Sequence, residues 1–157
     1  MKIAFWVIGK TSEEYLKKGC EVYQKRLPHY LKFEYEILPD IKNPKNLTTA
    51  QLLDKEADMV LKKLKNEDYL MILDEKGKEF SSIQFSKKIE KFQISGTKRV
   101  VFLVGGAFGF SPKIYQRANE KLSLSKMTFS HQMIRLFFLE QLYRAMTILR
   151  GEPYHNE

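Results

Sequence analysis

The stretch VVFLVGGAFG, residues 100–109, sets the fold class of this chain. Its first five residues are all β-branched, aromatic or leucine, which is typical of a strand buried on both faces. The glycine-rich half permits a tight turn and also a close approach of a ligand to backbone amides. Ser111 and Pro112 then supply a helix cap and a proline at the first helical position. We therefore predict a strand, a turn that a ligand can approach, and a helix.

Strand and helix patterns alternate in the same way along the rest of the chain. Strands are predicted at residues 2–8, 33–38, 69–73, 100–104 and 122–125, the third of them closed by a polar turn at 74–77. Helices are predicted at residues 11–27, 48–66, 81–92, from 111 onward and at 131–150, and the first three open with capping boxes, Thr11 with Glu14, Thr48 with Gln51 and Ser81 with Gln84. This order predicts an α/β fold in a single domain spanning residues 1–157, with a parallel sheet covered by helices on both faces.

The composition indicates a folded domain with an anionic partner. Of the 157 residues, 43% are apolar and 29% are charged, which excludes a disordered or fibrous chain. Lys and Arg number 27 against 19 Asp and Glu, a net charge of +8 at pH 7. Nucleic acid is the partner that best fits this surplus, although a basic domain with no such partner can have the same composition.

The cysteine and histidine content and the lengths of the apolar runs exclude several other classes of protein. The single cysteine, Cys20, cannot form an internal disulfide, and its helical setting favours a core residue over a nucleophile. No run approaches the ~18 apolar residues of a membrane span, and the run at residues 3–8 is too short for a signal peptide, so we expect a cytoplasmic protein without a membrane partner. His29, His131 and His155 show no metal-ligand spacing, so no metal is expected.

Unusual loops follow three of the predicted strands, at residues 73–77, 105–109 and 125–130. Ligands bind beyond the carboxyl ends of the strands in an open parallel sheet, so these loops can line one pocket. The chain lacks the G-x-G-x-x-G motif of dinucleotide folds and the G-x-x-x-x-G-K-[ST] motif of P-loop proteins. It also lacks the G-x-S-x-G motif of the nucleophile elbow, which weakens the hypothesis of a hydrolase that uses Ser125 and His131.

The final predicted helix is apolar on more than one face between Met133 and Ile148. A helix of this kind is buried on more than one side. A dimer partner is one possible second cover, and an unusually large contact within the chain is the other.

Charged and aromatic residues flank that apolar helix. His131 and Arg135 lie at i, i+4, where a neutral histidine beside an arginine can face an anionic substrate or be solvated at the helix start. Arg144 has the same spacing from Glu140, as in an ion pair. The tail beyond the helix looks frayed by position, yet an aromatic and a histidine there can stack on a base.

Three segments closely resemble the RlmH (YbeA) family: VVFLVGG at residues 100–106, LSLSKMTFSHQ at 122–132 and EQLYRAMTILRGEPYH at 140–155. KRLPHY at residues 25–30 extends the resemblance over essentially the whole chain. The family consists of small SPOUT-class enzymes that methylate N3 of a pseudouridine in large-subunit (23S) ribosomal RNA. The resemblance therefore implies S-adenosylmethionine as the methyl donor, a C-terminal deep trefoil knot, and a homodimer whose active site lies near the subunit interface.

Carried over by motif, the donor site falls on the three strand ends described above. It comprises Leu73, Gly105, Leu124, Ser125, Lys126, Met127, Thr128 and Phe129. Backbone groups can read the adenine edge while the larger apolar side chains form a wall. Ser130 stands where the family often has proline, and because serine can cap the following helix, we expect the site to be retained.

The implied reaction also needs residues for the N3 proton and for the base. His131 and His155 are the candidate proton acceptors, Arg135 or Arg144 can stabilise the anionic base or its phosphate, and Tyr154 can stack on the base. Two other functions stay open on sequence alone: an RNA-binding or ribosome-association protein without donor binding, and a small hydrolase using Ser125 with His131. The domain has no obvious separate RNA-binding module, so the assembled ribosome is the expected substrate.

Overall fold

A computed structural model of the chain describes residues 1–156, and Glu157, the end of the predicted domain, lies outside the described residues. Strands and α-helices alternate as predicted: β1 Lys2–Ile8, α1 Glu14–Arg26, β2 Lys32–Leu38, α2 Thr49–Lys63, β3 Tyr69–Glu79, α3 Ser82–Ile94, β4 Arg99–Val104, α4 Pro112–Arg117, β5 Glu120–Ser123 and α5 Met133–Leu149. Short 3-10 helices follow α1 at Leu27–His29 and precede α2 at Pro44–Asn46.

The strands form one sheet in the order β2-β1-β4-β3-β5, and every neighbouring pair is parallel. Parallel pairing brings the carboxyl ends of all strands to one edge. Because β3 lies between β4 and β5, the three loops singled out in the sequence begin side by side at that edge.

Apolar side chains cover both faces of the sheet, which confirms the predicted layers. On one face Phe5 and Phe102 pack against Phe138 of α5, and α1 and α3 complete the layer. On the other face Trp6 and Leu103 pack under α2 and α4. Burial on both sides explains why β1 and β4 read as continuous apolar runs rather than alternating patterns.

Two of the three predicted capping boxes are confirmed, at the starts of α2 and α3. The box predicted at Thr11 and Glu14 is wrong: α1 begins at Glu14, and no side chain caps it. The reason is tertiary, because the Thr11 hydroxyl instead accepts a hydrogen bond from Arg135 at 3.2 Å.

The third strand does not end at residue 73 as predicted. β3 continues to Glu79, because Leu73 and Lys78 both pair with Leu122 of β5 and residues 74–77 form a bulge between them. A Cβ at Gly77 would lie 2.6 Å from the Lys121 carbonyl carbon, so glycine permits this close backbone approach.

Smaller differences concern the ends of elements. β5 lies two residues earlier than predicted, and the Ser123 hydroxyl donates to the Ser125 carbonyl at 2.7 Å where the chain leaves the sheet. α2 ends three residues earlier than predicted, and α5 begins at Met133 rather than at His131.

Candidate functional site

A cavity of about 450 Å³ opens at the carboxyl ends of β3, β4 and β5. Seven of the eight expected donor-site residues line it: Leu73, Gly105, Leu124, Ser125, Met127, Thr128 and Phe129. Lys126, the eighth expected residue, is not among the described residues that line the cavity. The predicted convergence of three loops on one pocket is therefore confirmed.

The cavity has an apolar wall and a polar rim. The buried side chains of Leu73 and Leu122 line it, together with those of Met127 and Phe129, which are 77% and 38% exposed. Asp74, Glu75, Lys76 and His131 contribute polar groups to the rim. Apolar surface with a few convergent polar groups is typical of a small-molecule site.

The glycine loop brings bare backbone to the cavity. A Cβ on the buried Gly105 would lie 2.8 Å from the Gly109 carbonyl oxygen and 3.2 Å from Cε1 of Phe110. Gly109 itself has φ +83°, a conformation that favours glycine. The loop therefore depends on glycine for its shape, and its backbone groups border the cavity.

Hydrogen bonds of its own side chains shape the loop after β5. The Met127 amide donates to the Ser125 hydroxyl, and the Met133 amide donates to the Ser130 hydroxyl, both at 3.0 Å. Ser130 thus satisfies an amide at the start of α5, as expected for a serine at this position. No hydrogen bond joins Ser125 to His131 within residues 1–156, so the geometry lends no support to a serine hydrolase.

His131 is the predicted catalytic residue that lines the cavity. Burial lowers its pKa, and the Arg135 guanidinium lowers it further, while Asp40 acts in the opposite direction. A neutral imidazole is therefore favoured, which is the form that can accept a proton.

The structure does not bring Arg135 to the cavity. This side chain is fully buried, and it donates to the carbonyl oxygens of Ile8 and Gly9, both at 2.7 Å, and of His131 at 3.1 Å. Its guanidinium ties the start of α5 to the end of β1. The expected contact between Arg135 and an anionic substrate is replaced by this structural role.

The remaining predicted residues, Arg144, Tyr154 and His155, come together at the other end of α5. Glu140 is their centre: it forms an ion pair with Arg144 at 2.5 Å and accepts from the Tyr154 hydroxyl at 3.0 Å. Arg144 Nη1 also lies 3.1 Å from Nδ1 of His155. We call these four residues the α5 cluster. The tail is held against the helix instead of fraying.

The α5 cluster does not line the cavity of its own chain. Arg144 lies over the Tyr154 ring, 4.9 Å from its centroid, and Tyr143 meets the same ring edge-on at 4.8 Å. Burial, and then hydrogen bonding to Tyr23 and Glu140, raises the pKa of Tyr154. Glu140 was noted in the sequence as an ion-pair partner of Arg144, but not as the residue that anchors the tail.

Comparison with known proteins agrees with this geometry. The family described as "Predicted SPOUT methyltransferase" matches residues 1–155. The chain belongs to the SPOUT methyltransferase family. The resemblance noted in the sequence is confirmed, and so is the expectation of a methyltransferase.

Relatives of this SPOUT chain match it from end to end. A protein of Parabacteroides distasonis is 59% identical over 157 residues, all of both chains, and one of Christiangramia forsetii is 53% identical over 99% of each. Both are named "Ribosomal RNA large subunit methyltransferase H". A probable methylase family protein from Haemophilus influenzae shares the fold, with a TM-score of 0.55, 10% identity, and coverage of 99% of this chain and 70% of the other.

The part of the chain that the structure describes, residues 1–156, contains neither a membrane-crossing helix nor a cluster of metal ligands. None of its helices has the length and apolar character needed to cross a membrane. No group of three or more His, Cys, Asp or Glu side chains in residues 1–156 is arranged to hold a metal ion.

Proposed function

We propose that this protein transfers a methyl group from S-adenosylmethionine to N3 of a pseudouridine in large-subunit (23S) ribosomal RNA. The observation that carries the proposal is the cavity, because seven of the eight residues matching the family's donor site line it. The names of relatives 53–59% identical to this chain support ribosomal RNA as the substrate. The net charge of +8 suits a partner that contains RNA, and we propose the assembled ribosome in the cytoplasm as that partner.

The cavity fits the proposed donor. Gly105 permits the close packing of the glycine loop, because a side chain there would collide with Gly109, and the backbone groups of this loop border the cavity, where the edge of an adenine can reach them. Met127 and Phe129 are exposed apolar side chains at the cavity edge and can cover the ring. Leu73 and Leu124 complete the apolar wall. We also propose, for the C-terminal part, the trefoil knot of the family to which the chain belongs.

The chain's own residues then handle the RNA base. S-adenosylmethionine, when bound, supplies a methyl group for in-line displacement at its sulfonium. N3 of the base must lose its proton as the new bond forms, and the neutral His131 at the cavity can accept it on a ring nitrogen. His155 is the alternative acceptor, Arg144 can stabilise the negative charge of the base or its phosphate, and Tyr154 can stack on the base.

A homodimer would unite the cavity with the α5 cluster. Met133 and Phe137 are 38% and 40% exposed, and they share one face of α5 with Glu140 and Arg144. The two ends of this face are about 16 Å apart, at 1.5 Å per residue. An antiparallel two-fold pairing of α5 would bring the cluster of one copy toward the cavity of the other.

The test measures donor binding and methyl transfer together. Calorimetric titration with S-adenosylmethionine is combined with transfer of a labelled methyl group to ribosomes that lack the modification. We expect wild type to bind and transfer, and Gly105→Val to lose both, because the valine would fill the loop. Gly96→Val is the control, since Gly96 lies at the end of α3 with open space around it and a φ of +73°.

Each outcome has a distinct meaning. If the protein binds S-adenosylmethionine but transfers no methyl group to ribosomes or to free RNA, its methyl acceptor must be another molecule. Absence of donor binding with and without ribosomes would contradict the methyltransferase mechanism and favour a binding protein.

A further inference from the structure

The cavity rim carries a carboxylate whose position is fixed before any ligand arrives. Asp74 directly follows the buried Leu73, and its side chain lines the cavity beside Glu75. The Tyr115 hydroxyl donates to Oδ2 of Asp74 at 2.5 Å, and the Lys76 amide donates to Oδ1 at 2.8 Å. Both oxygens are therefore held, one by α4 and one by the bulge of β3.

Tyr115 can act here only as a hydrogen-bond donor. Burial, and then the hydrogen bond to Asp74, raises the pKa of Tyr115 to about 12, so the phenol keeps its proton at neutral pH. Asp74 must then be the acceptor, which is the role of an ionised carboxylate. The rim thus presents a fixed negative charge whose two oxygens already have donors.

Such a group suits a cation that has no hydrogen to donate. A sulfonium centre carries a full positive charge but no N–H or O–H, so its charge is recognised through electrostatic fields, and the field of a nearby anion is the strongest of these. The ammonium group of the same donor differs, because it carries N–H donors and is present in the demethylated product as well. Because the orientation of the Asp74 carboxylate is already fixed, it loses little conformational entropy when the ligand binds.

We propose that Asp74, held by Tyr115, is a specificity-determining residue that recognises the sulfonium charge of S-adenosylmethionine. The inference rests on the proposed function and deepens it. S-adenosylhomocysteine, the demethylated product, is a neutral thioether at this centre and lacks that attraction. Asp74 therefore favours the charged donor over the product and promotes product release.

The test compares donor and product on the same variants by calorimetry at low salt. Asp74→Asn keeps an acceptor oxygen for Tyr115 and removes the charge. We expect it to weaken S-adenosylmethionine binding about tenfold, while the affinity for S-adenosylhomocysteine changes less than about twofold. Tyr115→Phe keeps the charge but frees the carboxylate, and a smaller loss is expected, again greater for the donor. Glu90→Gln, exposed on α3, is the control for net charge.

Equal weakening of both ligands by Asp74→Asn would overturn the inference and indicate recognition of a group that they share, such as the ribose. No change in either affinity would overturn it as well. Failure of wild type to bind either ligand would instead contradict the proposed function, so the two failures can be told apart.

Discussion

Glu56 on α2 is buried in surroundings that do not favour its charged form. It is 8% exposed, and among the described residues its Oε2 atom has no hydrogen-bond partner. A Cβ added at Gly106 would lie 3.1 Å from this oxygen, so the carboxyl packs beneath the glycine loop of the cavity. Burial, with a further contribution from the Asp40 charge, raises the pKa of Glu56 from 4.5 to about 7.

This shift predicts a pH-dependent stability. Between pH 4.5 and about 7 the folded chain holds a proton that the unfolded chain has lost, so the free energy of unfolding falls as pH rises. Glu56→Gln removes the titration, and we expect it to be more stable than wild type by about 1–3 kcal/mol at pH 8, with much less difference at pH 4.5. Urea unfolding at both pH values measures this, and a difference that does not vary with pH would contradict it.

The bulge of β3 depends on close contact between two backbones. Gly77 lies against the main chain of Lys121 and Leu122, with three backbone atoms 2.6–2.8 Å from where a Cβ would be. A backbone cannot move aside as a flexible side chain can. This contact holds the extension of β3 against β5 and thereby supports the rim that carries Asp74.

Gly77→Ala is therefore expected to lower the free energy of unfolding by about 2–3 kcal/mol, because overpacking against backbone forces the strands apart. Gly96→Ala is the matched control: it has open space and only an unfavourable φ of +73°, so a smaller cost of about 1 kcal/mol is expected. Urea denaturation compares the two variants. Equal losses would show that the close contact adds nothing to the cost.

The assembled molecule is where the two halves of the proposed site can meet. In the proposed homodimer, one copy would contribute the cavity and the other the α5 cluster, and the exposed apolar side chains of α5 would lie between them. Tyr15 on α1 is a further large side chain at the surface, 62% exposed. Phe137→Glu places a charge within the proposed interface. We expect it to give monomers in light scattering and to lose methyl transfer, whereas Glu90→Gln stays dimeric.

Subunit mixing tests whether the site is shared. Gly105→Val disrupts the cavity and Arg144→Ala removes the positive charge of the α5 cluster, so each is expected to be inactive alone. A mixed dimer of the two contains one intact combination of cavity and cluster, and random mixing is expected to restore about a quarter of wild-type transfer. Mixtures that stay inactive, while native mass spectrometry detects mixed dimers, would contradict a shared site.

Local sequence pattern was sufficient to predict most of the fold and most of the cavity lining. The alternation of elements, the boxes at Thr48 and Ser81, and the loops at three strand ends depend on neighbouring residues in the chain. Parallel strands then place those loops on one edge whatever else the fold does. For this reason residues as far apart as Leu73, Gly105 and Phe129 could be assigned to one cavity in advance.

Contacts between segments that are distant in the sequence determine the remaining features of the fold and the site, and no local sequence pattern encodes these contacts. Arg135 has the spacing of a substrate contact, yet the carbonyls of β1 lie within its reach and bury it. Thr11 loses its capping role to the same guanidinium, and Leu122 pairs with both Leu73 and Lys78 to extend β3. The chain carries the donors, acceptors and apolar faces, but which of them meet depends on packing across the sheet.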